Sequence, residues 1–340
     1  MSDLDPVALT SWLQQAAGDC GAVSSIKRFA GGHSNPTYQV ETAERRYVLR
    51  RKPFGELLPS AHAVDREYRL LMALHPTGFP VPRPVALCDD PEVIGSIFYL
   101  MEMVEGRTIW DGTLPGVPKQ DRAAHYDALV DTLASLHNLD HEAIGLGQFG
   151  APGNYFRRQV ERWTKHYRAS QTDDIPEVEK LIAWLPGSLP EQSHRAIIHG
   201  DYRIDNVIFA RDGAEVRAVL DWELATIGDP LADFAYLAMH WILPRDGRAG
   251  LAGAHFQALG VPTLQHVAER YCAQTRRDRL PDLHWYFAYN LFRLVGIGQG
   301  IKKRLLEGNA SNPQAAKAVE RLAPLAQMAW DEARKAGASA

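Results

Sequence analysis

The chain has 340 residues, of which 46% are hydrophobic and 23% charged, and its formal net charge is −4. That composition supplies a core large enough for two domains or one two-lobed unit, and it offers no global basic field to favour nucleic acid. The three cysteines, Cys20, Cys88 and Cys272, are far apart and lack C-x-x-C spacing, which argues against a disulfide framework or a zinc site and fits a reducing cytoplasm.

The opening MSDLDPVALT lacks a basic stretch followed by an apolar run, so no signal peptide is expected, and no run of about 18 apolar residues predicts a membrane span. Residues 5–18 carry apolar side chains at helical spacing with Pro6 near the start, which predicts a first helix. Strand-like runs follow at Ser24–Ala30, Thr37–Glu41 and Arg46–Arg51, with Gly31-Gly32 between the first two and Thr42–Arg45 as a hairpin loop. Ala61–Leu74 predicts a helix with Val64, Tyr68, Leu71 and Leu74 on one stripe. FPVPRPVAL has to be extended because of its prolines. Val93–Val104 alternates, and predicts two strand pieces around a turn at Gly95. Past Gly106 the character becomes helical: Asp121–Asn138, Tyr155–Arg168 and Glu177–Leu185, then short strands and loops over Ala196–Leu220. Three or four further helices are expected between Asp229 and Ala336, with a polar tail from Lys335 that frays. This reads as a β-rich lobe over residues 1–104 and a mainly helical lobe over residues 105–340, an α+β chain without repeats.

The chemistry concentrates in IIHGDYRIDNVIF, residues 197–209, where two apolar runs flank a loop holding His199, Asp201, Arg203, Asp205 and Asn206. A little further on, AVLDWE puts Asp221 at the end of another apolar run. Phosphoryl transfer needs a carboxylate at the acceptor hydroxyl, oxygen ligands for magnesium and cations over the phosphates. Asp201 can supply the first, Asn206 and Asp221 the second. Arg203 shares the direction of Asp201 if the loop is extended, and could neutralise the transferring phosphoryl.

H-G-D-x-x-x-x-N followed by a strand-borne aspartate resembles the aminoglycoside phosphotransferase and choline kinase superfamily, itself akin to the protein kinases. The resemblance implies a two-lobed protein-kinase-like fold, with ATP and Mg2+ as cofactors. It makes Asp201 the catalytic base and Asn206 and Asp221 the metal ligands. It gives His199 a structural part, and Asp233 of GDPLADFAYL a buttressing one. In FAGGHSNPTYQV, Gly31, Gly32, Ser34 and Asn35 stand where turn N–H groups would cradle phosphates. In RYVLRRKP the position expected for lysine is Arg50; Arg50 should point with Lys52 and Arg51 the other way, which leaves open which cation meets phosphate. Glu67 is its helical partner by the same resemblance. FYLMEMVEGRT resembles the hinge, with Met101 behind the adenine pocket and the backbone of Glu102 and Val104 at the adenine edge. ATP and GTP stay undistinguished.

Six segments, from GGHSNPTYQV to FRLVGIGQGIKKR, resemble one branch of that superfamily, the kinase-like domain fused to certain acyl-CoA dehydrogenases and its stand-alone relatives. The implied acceptor is the hydroxyl of a 4-hydroxyacyl-CoA; an aminoglycoside, amino alcohol or sugar is the alternative, and a catalytically inactive nucleotide-binding module a second one. The partners are thus a nucleoside triphosphate and a small hydroxyl acceptor, with neither nucleic acid nor membrane. The basic runs RYCAQTRRDR (270–279) and IKKRLL (301–306) could meet coenzyme A phosphates or be solvated helix faces. Arg293 and Gln299, in the apolar LFRLVGIGQGI, need partners, either internal or on a substrate. Trp110, Trp222 and Trp241 are expected in the core.

Overall fold

Five short strands build the first layer, with period-two burial along the second and third, and a computed structural model describes residues 4–18, 21–29, 35–53, 63–192, 194–245, 249–308 and 319–339. Strands β1 (Val23–Arg28), β2 (Thr37–Thr42), β3 (Arg46–Arg51), β4 (Pro84–Cys88) and β5 (Phe98–Glu102) form an antiparallel sheet in the order β1-β2-β3-β5-β4. One face, with Tyr38, Val40, Tyr47, Leu49, Phe98 and Leu100, packs on Leu9 and Leu13 of helix α1 (Pro6–Ala17). Asp5 caps that helix through Val7 N at 2.8 Å, and Pro6 occupies its first turn. Because side chains alternate along a strand, the residues of β3 between these, Val48 and Arg50, face the other way, toward helix α2 (Val64–Leu74).

The single strand β5 replaces the two pieces expected over Val93–Val104. Residues 91–95 close a turn instead, with Gly95 N bonded to Pro91 O at 2.7 Å. The extended proline segment ends as edge strand β4, where Pro84 can stand at the strand start because its missing N–H is not needed there.

Helices α3 (Arg122–Asn138), α4 (Tyr155–Ser170), α5 (Pro176–Trp184), α6 (Leu231–Ala238), α7 (Phe256–Leu259), α8 (Leu264–Thr275), α9 (His284–Leu306) and α10 (Leu322–Lys335) make the second part. Five of these follow Asp229 among the described residues, more than the three or four expected, because the short α7 carries no periodic signal. The chain end packs rather than fraying: Ala338 N bonds to Ala333 O at 2.9 Å and Ala338 is buried. One continuous core runs from Leu70, Leu71 and Tyr99 through α3, α4, α6 and α9. Among the described residues no helix is long and apolar enough to cross a membrane.

After the two-residue strand β6 (Arg107–Thr108), four short strands position the polar loops. β7 (Ala196–Ile198) precedes the 199–206 loop and β8 (Val207–Phe209) follows it, while β9 (Val216–Val219) and β10 (Thr226–Gly228) flank the 220–225 segment. β7 pairs with β10 and β8 with β9, so each loop is gripped at both ends by the strands of the other. The register Val207↔Val219 sets Asn206 beside Leu220, and Leu220 N bonds to Asn206 O at 2.8 Å.

Candidate active site

The 199–206 loop is braced before any ligand enters. Asp233, near the start of α6, accepts from the backbone N–H of both His199 and Gly200, the latter at 2.8 Å. Burial alone would raise the Asp233 carboxyl, but His137, His199 and Gly200 hold it below its ordinary value. His199 joins the two loops: Asp201 N donates to its Nδ1 at 3.1 Å, and its Nε2 lies 2.8 Å from Leu220 O, which requires the Nε2–H tautomer. Gly200 has φ +85°, and a Cβ there would stand 2.8 Å from Leu224 O. The loop therefore admits only glycine at this turn.

Within this frame Asp201 and Asn206 meet. The Asn206 amide donates to Asp201 O at 2.9 Å and to Asp201 Oδ2 at 3.0 Å, which leaves its own oxygen for another partner. Arg203 has extended backbone and lies on the side of Asp201, as their spacing predicts, while Asp205 reaches the same guanidinium from the short 3-10 turn Ile204–Asn206. Arg203 Nε stands 3.6 Å from Asp201 Oδ2, and its Nη2 stands 3.0 Å from Asp205. Burial opposes the charge on Arg203, and Asp201 and Asp205 more than restore it.

Asp221 sits in left-handed backbone, φ 67° and ψ 60°, a conformation that costs a non-glycine residue about 1 kcal/mol or more. Its Oδ1 lies 3.2 Å from Arg50 Nη2, and Arg50 Nε lies 3.2 Å from Glu67 Oε2. Of the three cations in RYVLRRKP, Arg50 is thus the one brought to this centre. Arg51 turns to the α1 side, where its Nη1 bonds Lys52 O at 2.9 Å, and Lys52 pairs with Asp65 at 3.4 Å. Glu67 is buried and takes a hydrogen bond from Tyr99 at 3.0 Å. Burial pushes Glu67 up while Arg50 pulls it down; burial also works against Arg50, whose charge is secured by Glu67 and then by Tyr99 and Asp221. Asn35 is buried beside Glu67. Gly31, Gly32 and Ser34 lie outside the described residues.

Glu67, Asp221 and Glu223 bring carboxylate oxygens within 4.8 Å of one another. Three carboxylates face one guanidinium, an excess of negative charge that suits a divalent cation with hard oxygen ligands. Glu223 is a residue the sequence reading passed over, although the spacing D-x-E was a signal for it. Arg66 ties this region to the helical part: its Nη2 donates to Phe149 O at 2.7 Å and to Ala225 O at 2.8 Å, while the guanidinium stacks over the Phe149 ring. At the hinge, the Glu102 side chain turns to Arg83 and Arg45, and its N–H bonds Arg83 O at 2.9 Å. The Val104 N–H has no partner among the described residues.

Two expectations change. Trp110 is 63% exposed, whereas Trp222 and Trp241 are in the core; Trp222 packs on His199 at 4.6 Å and donates to Val219 O. Three of the seven cations in the basic runs have partners within the protein. Arg270 forms a bidentate pair with Asp131 at 2.7 and 2.6 Å, Lys302 pairs with Asp173, and Lys303 bonds Ala169 O.

Asp229, at the head of the α6 segment, is 2% exposed and accepts from Leu231 N at 2.9 Å. Burial pushes its carboxyl from 3.8 up to about 6. A raised carboxyl means the folded state holds a proton the unfolded chain has released, so stability falls as pH rises from about 4 through about 6. Asp229→Asn keeps the acceptor oxygen and removes the buried charge. It should gain about 2–3 kcal/mol near pH 8 and much less near pH 5 in urea unfolding. A gain independent of pH would contradict the assignment.

A β-sheet carrying a cation–glutamate pair, with a braced H-G-D-x-x-x-x-N loop and an aspartate two residues past a strand, defines the kinase-like class of phosphotransferases. The chain belongs to the phosphotransferase enzyme family, whose model matches residues 25–270. It is similar to a candidate aminoglycoside phosphotransferase from Ralstonia eutropha JMP134, 43% identical, with a TM-score of 0.88 over 98% of this chain and 99% of that one. Acyl-CoA dehydrogenase family member 10 of Mus musculus is 44% identical over 92% of this chain, and family member 11 of Rattus norvegicus 39% over 96%. The chain spans 29% of the first and 42% of the second. The aminoglycoside phosphotransferase APH(4)-Ia, in a ternary complex with ADP and hygromycin B, shares the fold at 18% identity and a TM-score of 0.60, covering 98% of this chain and all of that one. The chain accordingly has the kinase-like α+β fold of that family.

Proposed function

We propose that this enzyme transfers the γ-phosphoryl group of ATP, with magnesium, to the hydroxyl of a small hydroxyacyl metabolite, a 4-hydroxyacyl-CoA first among them. The observation that carries the reading is the hydrogen-bonded union of Asp201 with Asn206, joined through Leu220 to Asp221 and from there to Arg50 and Glu67. Those are the parts phosphoryl transfer requires, drawn from both halves of the chain. The boundary between a nucleotide-binding lobe and a catalytic lobe falls near residue 104, and a cytoplasmic enzyme agrees with its cysteine usage.

In this reading Asp201 accepts the acceptor's hydroxyl proton as that oxygen forms its bond to phosphorus, and the bond from phosphorus to the bridging oxygen breaks to leave ADP. Arg203 steadies the Asp201 carboxylate and the charge on the transferring group. Asn206 and Asp221 hold magnesium, with Glu223 beside them. Bound there, the ion neutralises phosphate charge and orients the γ-phosphoryl. Arg50 fills the lysine position and meets the phosphates with a bidentate guanidinium. Lys52, at the strand end, stands further out. Gly31, Gly32, Ser34 and Asn35 are assigned to the phosphates on the strength of the sequence. The carbonyl of Glu102 and the N–H of Val104 take the adenine edge.

Kinship with the acyl-CoA dehydrogenase family members supports the hydroxyacyl acceptor. The Ralstonia relative favours a second reading, an aminoglycoside or amino-alcohol acceptor. An inactive module is the third, and it conflicts with the presence of Asp201, Asn206 and Asp221 together. ADP release measured with ATP, magnesium and a panel of acceptors separates them. Turnover is expected with a 4-hydroxyacyl-CoA and none with kanamycin; the reverse result would move the acceptor to the second reading, and silence with every acceptor would favour the third.

A further inference from the structure

The interior face of α9 carries two polar side chains whose fates differ. Gln299 is fully buried, and its amide is tied to the Thr172–Asp173 turn. Arg293 is 6% exposed, yet it makes no hydrogen bond or ion pair with any described residue. Its Nε is sealed from solvent without an acceptor. The guanidinium carbon lies 4.9 Å from the centre of the Tyr236 ring and 5.4 Å from that of Trp163. Aromatic faces offset part of the lost hydration of a cation, but they supply nothing to the in-plane N–H groups, which are the strong donors of arginine. No described residue supplies an oxygen partner to this guanidinium.

Tyr236 locates that missing partner. Burial raises the Tyr236 phenol and the neighbouring charge of Asp201 raises it further; the same charge reaches Arg293. Asp201 is already engaged by Asn206 and Arg203, so it does not serve as the oxygen partner itself. The unfilled donors therefore stand close to the group assigned to the acceptor hydroxyl. A buried cation without a hydrogen-bonded oxygen partner disfavours a polycationic acceptor and suits an electron-rich oxygen.

Resting on the acceptor class proposed above, we infer that Arg293 receives an acyl oxygen of the acceptor, either a carboxylate or a thioester carbonyl, and so sets the hydroxyl of the same molecule against Asp201. Arg293 is then a specificity-determining residue for hydroxyacyl over plain alcohol acceptors. The test uses the full chain and three substrates: a 4-hydroxyacyl-CoA, the free 4-hydroxy acid of the same chain length, and the secondary alcohol lacking the acyl group.

Wild type should prefer one acyl-bearing substrate over the matched alcohol by about 10²-fold in kcat/KM, and which of the two it prefers identifies the source of the oxygen. Arg293→Met should erase that preference, mainly through the acceptor KM, with the KM for ATP unchanged; Arg293→Lys should restore part of it. Should Arg293→Met fail to fold, the lysine variant carries the comparison alone, since it keeps the charge and loses the planar fork. A wild-type preference that survives in both variants, or a loss falling on ATP instead of the acceptor, overturns the role of Arg293 and leaves the proposed reaction standing. If wild type turns over none of the acyl substrates, the acceptor class itself falls and this inference falls with it.

Discussion

Asp201→Asn is expected to lower kcat by roughly 10²–10⁴-fold while leaving the KM for ATP within about twofold of wild type. The substitution is close to isosteric. Asp201 Oδ2 takes the Asn206 amide at 3.0 Å, and an asparagine oxygen can keep that bond. The other terminal atom then becomes an NH2 group, which donates where the carboxylate accepted. The acceptor hydroxyl loses the oxygen that would take its proton, and gains a donor facing its own. The backbone frame should hold, because Asp233, His199 and Gly200 brace the loop through main-chain groups that the change does not touch. Steady-state kinetics with saturating acceptor checks the rate, and thermal unfolding checks the frame. A decrease smaller than about tenfold would remove Asp201 from the role of base.

The parts legible in the sequence were those whose spacing is short and whose neighbours are local. Asp201 and Asn206 lie on one loop between two apolar runs, and Asp221 ends another run; paired short strands bring such segments together with little choice of register. The even residues of β3 had to share a face, so Arg50 and Lys52 were separable from Arg51. Which face would be buried by α1 and which would meet α2 depends on packing between distant segments. So does the further choice of Arg50 over Lys52, since Lys52 falls beyond the strand end and finds Asp65. The same holds for the basic runs. The partners of Arg270 and Lys302 lie 139 and 129 residues away in the chain, and no local pattern announces them. Trp110 and Trp222 are alike as residue types, and only the fold shows one exposed and the other packed on His199. The unfilled state of Arg293 is the hardest to foresee, because it is the absence of a long-range contact.

Asp221→Asn should abolish most of the stabilisation that magnesium and ADP give the wild-type enzyme, and lower kcat/KM by about 10³-fold or more. Asparagine is chosen because it tolerates left-handed backbone nearly as well as aspartate, so φ 67° survives the change. It also removes one of three crowded carboxylates, whose oxygens lie within 4.8 Å of one another beside a single guanidinium. The ligand-free variant is therefore not expected to unfold: what repulsion it loses from Glu67 and Glu223 offsets the weakened contact with Arg50 at 3.2 Å. The defect belongs to the loaded state. For wild type, a ligand at about 100 times its Kd adds about 2.7 kcal/mol to the folded state, read as a rise in Tm; in the variant that rise should nearly vanish at the same concentrations. Asp221→Ala makes a sharper comparison, because alanine pays for the left-handed turn as well and should lower the ligand-free Tm where asparagine does not. If Asp221→Asn keeps the full magnesium-dependent shift, the ion is held elsewhere. Glu67 and Glu223 would then be the carboxylates to exchange next.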